Sequence, residues 1–181
     1  KHYEGKEVQL FTIGKKGHEV LKKTIPVFEN NNHIFDHLTF EQTALLAEQI
    51  MQTFVDGKFD KIDLIYNRFK NAGTQIPTYE AFLPIQSENS GHKMATDYLF
   101  EPSKEVIVEQ LIPKSLKMQL FKALRDSYAA EHGARMTAMH KATDNAGELK
   151  NDLTLTYNKA RQAAITGEIL EIVGGAEALK G

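Results

Sequence analysis

The sequence holds no cysteine. That absence excludes disulfides, thiolate catalysis and thiolate metal sites. Neither charge is in surplus: 22 Lys and Arg face 24 Asp and Glu, for a formal net charge of −2 and a pI of about 6.4. Such balance gives neither the basic footprint of a general nucleic-acid binder nor an electrostatic patch for a lipid surface. No nucleic-acid partner is expected. No apolar run approaches the roughly 20 residues of a membrane span, so direct membrane insertion is not expected either. The opening Lys1-His-Tyr-Glu-Gly-Lys6 is no signal peptide and has no initiating Met, which points to a partial or processed chain.

What is present is 181 residues, enough for one domain with a real core, or a domain plus an extension. Val8 to Ile13 reads as a strand bounded by a Gly14-Lys-Lys-Gly17 turn. A short helix is expected from His18 to about Lys23, ended before Pro26. Glu29 to Asp36 is polar and reads as loop. Thr39 is placed as an N-cap, with Gln42 in the capping-box position. After it, Ala44, Leu45, Ala47, Ile50, Met51, Phe54 and Val55 form a helical stripe that Gly57 ends. Lys61 to Phe69 is a second strand. Gln75 to Ile85 is a third, interrupted by Pro77 and stopped near Pro84. A polar loop over Gln86 to His92 and a short strand at Tyr98-Leu-Phe100 follow. Ser103 with Ile107, Val108 and Leu111 suits another short helix. Strands alternating with helices predict an α/β layer with a largely parallel sheet. No repeat or low-complexity tract is visible.

The last third is different. Ala134-Arg-Met-Thr-Ala-Met-His-Lys-Ala-Thr-Asp-Asn-Ala-Gly147 and Leu153-Thr-Leu-Thr-Tyr-Asn-Lys-Ala-Arg-Gln-Ala-Ala-Ile-Thr166 have no proline, many alanines and charges on every face. From Ser115 to about Val173 only Gly133, Gly147 and Gly167 interrupt good helix formers. A helix over that span runs roughly 85–90 Å. Met139, Ala142, Ala146, Leu149, Leu153, Thr156, Ala160, Ala163, Gly167 and Leu170 recur at alternating spacings of three and four. That is the seam of a coiled coil, and its small residues admit a close partner helix. No second helix of matching length is present, so the partner is expected from another copy, another chain or a further part of this one.

At these residues the chain resembles the gamma subunit of F-type ATP synthase, the central rotor shaft. The match continues through Ile165-Thr-Gly-Glu-Ile-Leu-Glu-Ile-Val-Gly-Gly-Ala176. Weaker matches run through Ile13-Gly-Lys-Lys-Gly17, the strand ending in Gln-Ile-Pro77, Leu83-Pro84 and Asp97-Tyr-Leu-Phe-Glu-Pro102. The resemblance covers essentially the whole chain. It implies a small Rossmann-like sheet-and-helix domain over 1–102 and a helical shaft over 103–181, half of an antiparallel coiled coil. Family members open with a long N-terminal helix and a first strand, and neither is in this sequence. Gly167 stands where a larger polar residue is usual, at a cost of roughly 1 kcal/mol relative to Ala in an isolated helix. Lys150 stands where an aliphatic residue is common.

The resemblance further implies a non-catalytic subunit that needs no cofactor and couples ion-driven rotation of a membrane ring to the alpha/beta catalytic sites. Arg161, Gln162, Thr166 and Arg135 are carried over as contacts to the beta subunit. Ile169, Leu170, Ile172 and Val173 become an apolar bearing tip inside the alpha–beta ring. Tyr98, Phe100 and Glu101 match the segment near the epsilon subunit and the membrane rotor ring. The implied location is peripheral, on the cytoplasmic face of the bacterial inner membrane. An exposed seam also predicts self-association of this chain.

Other chemistry is weaker. Gly14-Lys-Lys-Gly17 lacks the GxxxxGK[ST] pattern of a phosphate loop, and it follows a strand where a KH loop joins two helices. His33 and His37 have metal-ligand spacing but no third ligand. Asp60 with Asp63, and Asp144 with Glu148, read as solvated charges. Two alternatives stay open from the residues themselves. One is a small α/β ligand-binding or enzymatic domain with a helical dimerisation arm. The other is an antiparallel coiled-coil scaffold.

Overall fold

The structure, a computed structural model, describes residues 3, 5–85, 101, 103–179 and 181. The chain divides into two compact units, Lys1–Gly133 and Ala134–Gly181. In the first unit, β1 (Leu10–Ile13), α1 (Lys15–Leu21) and β2 (Val27–Asn31) form one crossover with parallel pairing, Leu10 opposite Val27 and Ile13 opposite Asn31. Two expectations fail here. Lys15, Lys16 and Gly17 are already helical, so the turn is Gly14 alone. Gly14 has φ 105 and ψ 150, a backbone state that a side chain at this position would strain. Its N–H donates to the Asn31 carbonyl at 3.0 Å. The polar stretch from Glu29 supplies most of β2 instead of a loop. Polar side chains fit there because they bond one another: the buried Thr12 hydroxyl donates to Asn30 Oδ1 at 3.1 Å and lies 3.2 Å from His18 Nδ1.

Helix α2 (Phe40–Val55) starts at Thr39, whose Oγ1 accepts from the Gln42 N–H at 3.3 Å. Gly57, at φ +70, follows its end as expected. Its buried face is Thr43, Leu46, Ala47 and Ile50, rotated from the predicted stripe. Leu45 is 64% exposed and Leu46 only 2%. The reason is Thr43, which enters the core because its hydroxyl donates to the Thr39 carbonyl at 2.9 Å.

The long strands β3 (Ile62–Asn71) and β4 (Thr74–Leu83) form an antiparallel hairpin. Pro77 does not interrupt β4; it sits opposite Asn67 in a two-stranded ribbon, where every strand is an edge. Among the described residues the sheet is therefore not largely parallel: β1–β2 is parallel, β3–β4 antiparallel, and the two pairs are not hydrogen-bonded to each other. Only Ala72 and Gly73 connect β3 to β4, and so short a link permits nothing but an antiparallel return. The α/β class itself holds. Both pairs cover one core of Ile34, Leu46, Ala47, Ile50, Phe82, Leu83, Leu116, Leu120 and Leu124, with Phe11, Ile13, Ile62 and Leu64 packed against it.

Leu116, Leu120 and Leu124 belong to α3 (Lys104–Ala178), a single helix of 75 residues. The short helix expected after Ser103 and the long one expected from Ser115 are thus continuous through Pro113. Ser103 starts it, its Oγ accepting from the Val106 N–H at 3.3 Å. A proline inside a helix costs about 3 kcal/mol; burial of Leu116, Leu120, Ala123, Leu124 and Ala130 further along offsets that cost. The expected loop over Gln86 to His92 and strand at Tyr98-Leu-Phe100 lie outside the described residues.

Candidate interaction surfaces on the long helix

The second unit is a stretch of α3. Gly147 and Gly167 keep helical backbone, since neither has positive φ. Met139, Leu149, Leu153 and Leu170, the large apolar members of the seam, are all exposed. Thr156 fits among them because its hydroxyl donates to the Asp152 carbonyl at 2.9 Å. The back-bond leaves the methyl as its outward chemistry. A shallow, mostly apolar groove runs along one flank of the seam, lined by Ala146, Leu149, Lys150, Leu153, Thr154 and Tyr157. Tyr157 and Lys150 each follow by one position a seam residue whose next seam neighbour is four residues on, which is how they reach that flank. Sequence reading passed over Tyr157, although the seven-residue repeat places it there.

The same repeat separates the carried-over contacts. Arg161 and Gln162 follow the seam residue Ala160 by one and two positions, which turns them away from the seam. Thr166, one position before Gly167, lies beside the seam, on the flank opposite the groove. All three are exposed on α3. Ile169, Ile172 and Val173 continue the outward surface and Leu170 continues the seam, all of them exposed, so the end of α3 is apolar on both sides. Ile165 joins the outward group and was missed in the sequence; it lies between Gln162 and Ile169 on one face and is also exposed. Arg135 does not join them. It sits four residues before Met139, in register with the seam, and about 39 Å along the helix from Arg161. Its side chain is exposed.

Glu101 is exposed, while Tyr98 and Phe100 lie outside the described residues. His33 Nδ1 pairs with Asp36 Oδ2 at 3.2 Å on the surface. Among the described residues no group of three or more His, Asp or Glu could hold a metal. Among them, too, no helix is long and apolar enough to cross a membrane.

Asp63 corrects an expectation. Its side chain is 4% exposed, not solvated. It takes a 2.6 Å hydrogen bond from the Tyr79 hydroxyl and a 3.1 Å ion pair from Lys61. The hydrogen bond to Asp63 raises the Tyr79 pKa above its usual value. Tyr66 is pushed up to about 12, first by burial and then by its 2.8 Å hydrogen bond to Glu80. Both clusters brace the β3–β4 hairpin.

Comparison with known proteins agrees with this architecture. A family model described as ATP synthase matches residues 1–179. The chain is 63% identical over 179 residues to the ATP synthase gamma chain of Christiangramia forsetii, covering 99% of this chain and 63% of that protein. It is 65% identical over 182 residues to the ATP synthase gamma chain of Flavobacterium johnsoniae, with the same coverage of 99% and 63%. The chain thus spans about 63% of the length of these curated relatives. Among solved structures, a chain of the Euglena gracilis mitochondrial ATP synthase (OSCP/F1/c-ring, rotational state 3) has a TM-score of 0.62 at 20% identity, over 94% of this chain and 62% of that one. A chain of the Tetrahymena thermophila mitochondrial ATP synthase central stalk and c-ring has a TM-score of 0.58 at 24% identity, over 74% and 60%. These two likenesses concern the fold alone. A family match over nearly the whole length and identities above 60% decide the relationship: the chain belongs to the ATP synthase gamma chain family.

Proposed function

We propose that this chain is a non-catalytic rotor subunit of the central stalk. It would couple ion-driven rotation of a membrane ring to conformational change at catalytic sites between alpha and beta subunits. The observation that carries the reading is the chemistry of α3 beyond Ala134. One face is a seam of small and apolar residues. The rest of the surface carries Arg161 and Gln162, with Thr166 beside the seam, then an apolar end with Ile169, Ile172 and Val173. A shaft with unlike faces makes unlike contacts with the three members of a surrounding ring. Its orientation then stabilises their states unequally, which is what coupling between distant sites requires.

In this reading the seam faces a partner helix of the stalk, and the chain self-associates when that partner is missing. Residues 1–102 form the globular domain and 103–181 the shaft. Arg161, Gln162 and Thr166 touch the beta subunit near the tip, and Arg135 touches it lower down. Hydrogen bonds from a charged donor contribute about 1.5–3 kcal/mol each. A single such bond, made at one site and not at its neighbours, biases an equilibrium roughly tenfold or more. Tyr98, Phe100 and Glu101 meet the epsilon subunit or the membrane ring. The subunit sits peripherally on the cytoplasmic face of the bacterial inner membrane. The test is assembly. The native chain should co-purify with an alpha–beta ring and stimulate its ATPase activity. Failure of both, with the ring itself active, would overturn the reading.

A further inference from the structure

Five glycines lie inside α3, at positions 133, 147, 167, 174 and 175. Each weakens a helix relative to alanine. A Cβ added at four of them would meet nothing within 4 Å. Gly133 is the exception. A Cβ there would lie 3.0 Å from Ala72 Cα, 3.1 Å from the Phe69 ring and 3.5 Å from the Ala72 carbonyl oxygen. Ala72 and Gly73 are the turn of the β3–β4 hairpin. The turn's backbone therefore rests directly on the helix, with no side chain between them.

That turn is held from within. The Gly73 N–H donates to Asn71 Oδ1 at 3.1 Å, and Gln75 Nε2 donates to the Ala72 carbonyl at 3.2 Å. The strand register also shifts between Phe69 and Asn71, which re-aims the tip. The Ala72 backbone cannot retreat from the helix without disturbing these bonds. The other end of the hairpin is fastened separately. Gln119 Nε2 donates to Glu80 Oε1 at 2.9 Å and to the Ala81 carbonyl at 3.1 Å, while Tyr66 holds the second oxygen of Glu80. Gln119 and Gly133 are about 21 Å apart along α3.

We propose that Gly133 is a docking notch, not a loose joint in the helix. With Gln119 it clamps the β3–β4 hairpin to α3 at both ends. Twist applied to α3 is then handed to the globular unit through a rigid ribbon, where the compact unit ends at Gly133. The torsional part rests on the rotor function proposed above; the notch itself rests only on packing.

The two ideas about Gly133 predict opposite signs. A loose joint is stiffened by alanine, so Gly133→Ala and Gly147→Ala should both raise the thermal midpoint of the native chain. A notch is blocked by alanine. Gly147→Ala should then raise the midpoint by a few degrees, while Gly133→Ala lowers it. Amides of residues 71–75 should exchange about tenfold faster in Gly133→Ala, and those of β1 and α2 at the original rate. A raised midpoint with unchanged exchange at 71–75 overturns the notch. Gln75→Leu removes the bond from Gln75 Nε2 to the Ala72 carbonyl and loosens the turn, so it should soften the effect of Gly133→Ala in a double-mutant cycle; strict additivity also counts against the notch.

The torsional role is read with the alpha–beta ring fixed and a bead on the globular unit. Gly133→Ala should widen the angular spread of the stalled bead by about half. Faster exchange with unchanged spread leaves a clamp without that role and overturns the torsional part. Failure of the unmodified chain to join the ring refutes the rotor function, and the exchange arm still decides the notch.

Discussion

Leu120 and Leu153 lie on the same helix and differ in one respect. Leu120 is 2% exposed and belongs to the core; Leu153 is 60% exposed and belongs to the seam. Truncating each to alanine turns that difference into a measurement. Leu120→Ala removes buried methyl groups and leaves a cavity among Leu46, Phe82 and Leu116, at a cost of about 3 kcal/mol. Leu153→Ala removes nothing buried in the chain itself. Alanine is the slightly better helix former, so the change should fall within about 0.5 kcal/mol of zero.

The order shifts when a partner helix covers the seam. Full burial of a leucine side chain contributes about 1.5–3 kcal/mol, and Leu153 has about three-fifths of that still to gain. Leu153→Ala should then weaken assembly by about 1–2 kcal/mol, roughly 5- to 30-fold in an equilibrium constant. The first arm is urea unfolding of the native chain, dilute enough that the midpoint does not depend on concentration. Circular dichroism follows the helix, and near-ultraviolet tyrosine signals follow chiefly the first unit, because Tyr157 beyond it is 66% exposed. The second arm is competition between variant and unmodified chains for a limiting amount of alpha–beta ring. A Leu153→Ala chain as destabilised on its own as Leu120→Ala would mean that the seam is already buried. Equal competition by Leu153→Ala would mean that no partner covers it. Either result refutes the reasoning.

Other outcomes follow from particular groups. Arg161→Gln should lower stimulation of the ring ATPase severalfold while moving the unfolding midpoint of the chain by less than about 0.5 kcal/mol; equal activity would remove Arg161 from the contact surface. Thr39→Ala should cost about 1 kcal/mol in urea unfolding, because the Gln42 N–H loses its acceptor. Tyr66 sets an alkaline limit. Its folded pKa is raised to about 12 from 10.0, so the unfolded chain sheds that proton first, and the associated stability is complete below pH 10 and is lost between about pH 10 and 12. Urea midpoints measured across that window should fall more steeply for the unmodified chain than for Tyr66→Phe.

What the sequence made legible follows physical lines. Helices with strong periodicity and a side-chain cap, such as α2 after Thr39, can be read directly, as can a 3.5-residue seam on a helix that buries little. Several failures share a cause, which is that polar residues entered the core or the ladder after finding partners. Asn30 is strand because Thr12 donates to it; Thr43 is core because the Thr39 carbonyl accepts its hydroxyl; Asp63 is buried because Tyr79 and Lys61 reach it. Those partners lie 18, 4, and 16 or 2 residues away, and the 18- and 16-residue ones leave no local pattern. Pro113 misled in the other direction, since a local rule against proline yielded to tertiary burial further along α3. The residues proposed as beta-subunit contacts, Arg161, Gln162 and Thr166, were nameable only through resemblance; composition made them ordinary solvated residues. Ile165 was within reach, because the repeat that gave the seam also fixes what lies opposite it.

That repeat bears on why the helix carries so little core beyond Ala130. A helix of a single globular domain keeps one apolar stripe and turns it inward. Past the first unit, α3 carries two exposed surfaces, the seam and the face from Arg161 to Val173. There, small side chains, back-bonded threonines and alanine take the place of a large stripe. The same economy explains the contrast among the glycines. Where α3 has nothing of its own to pack against, a glycine meets open space. At Gly133, where the globular unit still touches the helix, the missing side chain is the contact. Within the first unit, then, the absent side chain at Gly133 is a packing feature, whereas Gly147, Gly167, Gly174 and Gly175 leave open space beside the helix.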